Sequence, residues 1–134
     1  MSAVKTVKQV TAPEVDGDAL LGALATLEQG SLDGCVVLRA ERNAAGVIED
    51  FSFLFANPSA ERTLGRQSEQ LIGQRLVDVL PMIHRGGRIP QCAQVVETGQ
   101  PLVWEGPYRD GWFRIQMTRF QEGVLARFQD ITTS

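Results

Sequence analysis

Histidine is almost absent from this chain: His84 is the only one among 134 residues, and cysteine occurs twice, at Cys35 and Cys92. One histidine and two distant thiols without CxxC spacing exclude the clustered ligands of a structural zinc site. They also fall short of the dense disulfide framework that small secreted domains use. A lone histidine supplies no triad, and neither Ser59 nor Ser68 has an adjacent base, so no catalytic residue is expected and the chain reads as non-enzymatic. Thirteen Lys and Arg are scattered among sixteen Asp and Glu, a net charge of -3, so no basic stripe marks a nucleic-acid surface. No apolar run reaches spanning length, and Lys5 and Lys8 precede no apolar signal core. A soluble, cytoplasmic protein with reduced thiols is expected, with no membrane contact.

What is present suits one globular domain. Apolar residues make up 43% of the chain and charged residues 22%, enough to bury about two thirds of the unfolded surface in a single core. The clearest element is a hairpin from Gly111 to Thr132, with arms Trp112 to Phe120 and Val124 to Gln129 around a turn at Gln121-Glu122-Gly123. Alternation puts Phe113, Ile115 and Met117 on one face of the first arm, and Val124, Ala126 and Phe128 on one face of the second. The opposite face mixes Trp112, Arg114, Gln116 and Thr118 with Leu125, Arg127 and Gln129. A two-stranded ribbon is marginal alone, so the rest of the chain must extend this sheet and cover it.

Residues 1–17 show no period and read as a flexible leader broken by Pro13 and Gly17. Over 18–30, Asp18 can cap a helix in which Leu20, Leu24 and Leu27 recur at helical spacing, with Gly30 at its stop. Cys35 to Leu38 and Val47 to Ala56 read as strands, the second carrying Phe51, Phe53 and Phe55 at period two. Asn57-Pro58 starts a helix that Gly65 ends, and a second short helix runs from Ser68 to Gly73. Leu76, Val79 and Leu80 then serve as buried anchors, and His84 to Gly87 reads as a polar loop. A helix from about Pro90 to Thr98 is followed by a strand near Leu102 to Glu105 and a turn at Gly106-Pro107. Helix, two strands, short helices, three strands: this order predicts an α+β domain, an antiparallel sheet with helices on one face and a concave cup between them.

Over residues 31–132 the chain resembles a PAS domain, the sensory fold common in bacterial histidine kinases and cyclic-dinucleotide enzymes. The resemblance is carried by Leu32-Asp33-Gly34, by Phe53-Leu54-Phe55-Ala56-Asn57-Pro58-Ser59-Ala60-Glu61 and by Leu64-Gly65. Further on it continues in Leu71-Ile72-Gly73-Gln74-Arg75, Val95-Val96-Glu97-Thr98-Gly99 and the closing Asp130-Ile131-Thr132. It implies a five-stranded antiparallel sheet in the order 2-1-5-4-3. It also implies an amphipathic N-terminal helix on the outer sheet face, where such helices help to form homodimers. The Asp130, Ile131 and Thr132 ending implies a relay to a downstream kinase or other output domain of a bacterial-type two-component pathway, fused or separate.

The resemblance does not name a ligand. Flavin photoreceptors of this fold carry a reactive cysteine in the stretch matching Asn57 to Leu64, where this chain has none. Haem sensors commonly use a histidine on the long helix before the third strand, whereas His84 lies ahead of it. No cofactor or metal is therefore expected. In one reading a small apolar ligand occupies a cup lined by Phe53, Phe55, Leu64, Leu71, Leu80, Val95, Phe113, Ile115 and Phe128. In the other these side chains fill the cup and the domain is a relay and dimerisation module, with Leu20, Leu24, Leu27, Trp112 and Leu125 at the interface. An anionic ligand would want an inward cation; Arg114 and Arg127 are the nearest candidates, and parity turns both outward.

Overall fold

The computed structural model describes residues 17–133. The leader expected over residues 1–17 lies, apart from Gly17, outside the described residues, as does the side chain of His84. The chain forms α1 (Gly17–Glu28), β1 (Gly34–Arg42), β2 (Ile48–Ala56), α2 (Pro58–Leu64), α3 (Ser68–Leu71), α4 (Leu76–Val79), α5 (Pro81–Arg85), α6 (Arg88–Thr98), β3 (Leu102–Tyr108), β4 (Gly111–Phe120) and β5 (Gly123–Asp130). The five strands make one antiparallel sheet in the order β2-β1-β5-β4-β3. Helices α2 to α6 cover one face, and α1 crosses the other.

The core lies between the sheet and α2–α6. Leu38, Phe51, Phe53, Met117, Val124 and Ala126 meet Leu64, Leu71, Leu76, Ile89, Cys92, Val95 and Val96 there, all of them buried. Each large apolar side chain so removed from water contributes about 1.5–3 kcal/mol. Helix α2 begins as its sequence predicts. Asn57 accepts the Ala60 N–H at 2.9 Å, Pro58 occupies the first turn, and Gly65 closes the helix at φ 72°. Two close approaches require glycine. A Cβ on Gly123 would collide with the Leu38 carbonyl across β1–β5, and one on Gly34 with the Phe128 ring.

Three details differ from the sequence reading. Between Val37 and Leu38 the β1–β2 register slips, so that Val37 faces Phe55 while Leu38 faces Phe53. The bulged Leu54 reverses the alternation, leaving Phe51 and Phe53 inward and turning Phe55 to the outer face beside Val37. Gly106-Pro107 is not a turn: β3 runs on to Tyr108, and the reversal is the two-residue loop Arg109-Asp110, with Arg109 at φ 55°. Proline is accommodated because β3 is an edge strand, where no partner needs its missing N–H. Finally, the backbone of His84 and Arg85 belongs to α5, which shortens the expected loop to Gly86-Gly87.

The other edge is covered. Phe53 donates its N–H to Gln74 O at 3.0 Å and accepts the Gly73 N–H at 2.8 Å, so the α3–α4 connection lies along β2. Among the described residues no helix is long and apolar enough to cross a membrane.

Candidate functional site

The cup between sheet and helices is not filled. A cavity of about 370 Å³ remains, within the roughly 300–1,000 Å³ range of small-molecule sites. Of the residues expected to line it, Phe53, Leu64, Leu80, Phe113, Ile115 and Phe128 do so. Leu71 and Val95 do not: both are fully buried in the packed core behind the cavity wall. Phe55 does not either, because the bulge has turned it to the other face.

The structure adds residues the sequence reading missed. Trp104 and Tyr108 reach the cavity from β3, where half-buried Leu102, Trp104, Gly106 and Tyr108 alternate with exposed Val103, Glu105 and Pro107. That period is present in the sequence, and Gly106-Pro107, with the local chemistry of a turn, masks its second half. Arg88 reaches it from the first turn of α6, one helical turn before Cys92, which also lines it. The four-residue spacing from Arg88 to Cys92 was the signal that could have found it.

The aromatic wall is ordered by ring contacts. Tyr108 and Phe113 meet edge-on at 6.2 Å and 71°, and the Arg88 guanidinium stands 4.5 Å from the Trp104 ring centroid. Arg88 also donates to Gln91 Oε1 at 2.7 Å. The other charged residue of the lining, Glu105, is held by Arg114 at 2.9 Å. Burial pushes the Cys92 thiol up to about 11, opposed by the nearby Arg88 charge. Among the described residues no group of three or more His, Cys, Asp or Glu could hold a metal ion.

On the outer face, Arg127 makes a two-pronged ion pair with Glu28, both bonds 2.8 Å, which fixes the C-terminal end of α1 to β5. At the other end of α1 the Gln121 side chain lies 3.3 Å from where a Gly17 Cβ would stand. Beneath the helix, Cys35 and Val37 are excluded from solvent. The leucine stripe does not point squarely at the sheet. Leu21, Leu24 and Ala25 are half-buried and Glu28 is buried, while Leu20 is 39% and Leu27 77% exposed. At 100° per residue, Leu20 and Leu27 sit about a quarter turn from the covered face. Leu125 is half-buried opposite Val37, and Trp112 is exposed on β4.

After β5, the Asp130 carboxylate accepts the Thr132 N–H at 2.9 Å, and these bonds to Thr132 hold it below the usual carboxylate range. Trp112 donates its N–H to Thr132 Oγ1 at 2.9 Å and accepts the Ile131 N–H at 2.8 Å. Asp130, Ile131 and Thr132 are thus tied to β4 at Trp112.

A family model described as PAS fold matches residues 44–134. Among solved structures, a domain of an HTR-like protein from Haloarcula marismortui superposes with a TM-score of 0.59 at 23% identity, over 76% of this chain and 100% of that one. The PAS domain of histidine kinase ThkA gives 0.54 at 22% identity, over 73% of this chain and 99% of that one. A sensory box sensor histidine kinase from Vibrio cholerae gives 0.52 at 17%, over 99% of this chain and 100% of that one. No curated protein matches by sequence.

Proposed function

Because the chain belongs to the PAS fold family, we propose that it is a sensory input module that takes a small, largely apolar molecule into the cup between sheet and helices. The observation that carries this is the cavity itself: about 370 Å³, walled by the inner sheet face, the end of α2 and α4 to α6. A relay module with a packed core has no use for that space. The reading is non-catalytic. Cys92, the thiol on the lining, is kept protonated by burial, with no base among the described groups acting on it. No metal or prosthetic group forms part of it.

Occupancy would be transmitted through β5, whose Ala126 and Phe128 face the cavity while Arg127, between them, grips α1. From there two routes lead out. One is α1, whose exposed Leu20 and Leu27 are suited to meet a second copy of the chain. The other is the Asp130-Ile131-Thr132 exit, toward a kinase or other output domain, fused or separate; the likeness to histidine-kinase PAS domains supports that partner class.

Native mass spectrometry of the purified chain tests both parts. Wild type should appear as a dimer with extra mass per subunit, and Ile115→Trp, which fills the cavity, as a dimer at the bare mass. Leu27→Glu should give folded monomers. The same adduct on wild type and Ile115→Trp would remove the cavity from the account. A Leu27→Glu dimer would remove α1 from the interface.

A further inference from the structure

The cavity carries a chemical bias that apolar burial alone does not explain. Its lining includes the half-buried residue Arg88, and a guanidinium has five N–H donors in a rigid fork that matches a carboxylate. Among the described residues the partners of Arg88 are the neutral Gln91 oxygen and the Trp104 ring face; no carboxylate pairs with it. Every other arginine that the structure places in an ion pair lies outside the cavity lining, and Glu105 on the lining is already held by Arg114. Gly86 and Arg88, which flank the N-cap of α6, both lie on the lining. That N-cap, Gly87, offers no side-chain acceptor, so the positive end of an 11-residue helix stands beside Arg88 without a neutralising side chain.

Five rings stand among the aliphatic side chains of the lining: Trp104, Tyr108 and Phe113 from β3 and β4, Phe53 from β2 and Phe128 from β5. Ring walls favour a flat partner that can stack or meet them edge-on. We infer that the cavity takes a planar aromatic molecule ending in a carboxylate, its ring against Trp104 and Phe113 and its carboxylate on Arg88. This rests on the reading of the cavity as a ligand site. It adds the class of ligand and gives Arg88 the anion-binding role that parity denies to Arg114 and Arg127.

The test is calorimetric titration of the full chain at neutral pH with trans-cinnamate and with the neutral cinnamamide. A charge-assisted carboxylate contact should make cinnamate bind about tenfold or more tighter than the amide. Arg88→Gln should abolish that difference. Arg88→Lys should retain part of it, and Arg39→Gln, at an exposed cation away from the cavity, should retain all of it. Equal binding of acid and amide by wild type, abolished in both by Ile115→Trp, would overturn the carboxylate inference and leave the cavity reading standing. Discrimination that survives Arg88→Gln would overturn the role of Arg88. Failure of wild type to bind either compound would overturn the inference; the cavity reading falls only if native mass spectrometry also finds no adduct that Ile115→Trp removes.

Discussion

Asn57 uses every hydrogen-bonding group its side chain has. Oδ1 accepts from Cys35 N and Ala60 N at 2.9 Å each, and Nδ2 donates to Glu28 O at 3.1 Å and Asp33 O at 3.0 Å. One fully buried residue therefore starts α2, completes the entry to β1 and holds the end of α1. Asn57→Ala removes the cap and strands buried backbone groups, so a loss of about 2–4 kcal/mol is expected in urea denaturation. A loss within the range of an ordinary cap alone would show that α1 does not depend on it. The two thiols give a second residue-scale expectation. Burial raises Cys35 and Cys92 from about 9 to about 11. Between those values the unfolded chain has released protons that the folded chain still holds. Stability should therefore be fully present below about pH 9 and fall as pH rises toward about 11. The Cys35→Ala/Cys92→Ala double variant should show a shallower fall; an unchanged fall would mean that other groups govern it.

At the scale of elements, much was legible because local chemistry and tertiary demand agree. Asn57-Pro58 and Gly65 delimit α2, and period-two alternation on β4 and β5 sorts Phe113 and Ile115 from Trp112 and Arg114 as the sheet requires. The misreadings arose where long-range pairing overrode local pattern. Nothing near Leu54 announces a bulge, which is set by the register of β1 against β2, so Phe55 was placed on the wrong face. Pro107 punctuates a sequence as a turn does, and only its place on an edge strand makes it part of β3. The Leu20, Leu24 and Leu27 stripe was real, but the sheet takes the neighbouring Leu21, Leu24, Ala25 and Glu28, because the ion pair with Arg127 sets the rotation of α1. That pair yields an expectation for the helix. Arg127→Ala should loosen α1 and let a thiol reagent reach Cys35, which sits beside Arg127 across β1–β5, while Cys92 stays protected. Equal protection of both thiols in the variant would show that α1 is held by its apolar face alone.

At the scale of the whole molecule, the fold class could be read from the sequence and the strand order from its resemblance to PAS domains; on the sheet side of the cup Phe53, Phe113, Ile115 and Phe128 were legible, and the β1 and β3 residues were not. Whether the cup was full could not be read from the sequence. Vacant space is a property of how five short helices pack over a sheet, and no single residue encodes it. Arg88 escaped for a related reason: its inward position depends on where α6 starts relative to β3. A ligand can enter only if that space exists in solution. Equilibrium urea denaturation of Ile115→Phe examines it without any ligand, since Ile115 is half-buried at the cavity wall. If the cup is open, the larger ring enters it and stability is unchanged or raised. A loss of about 1–3 kcal/mol, the cost of overpacking a filled core, would contradict the account.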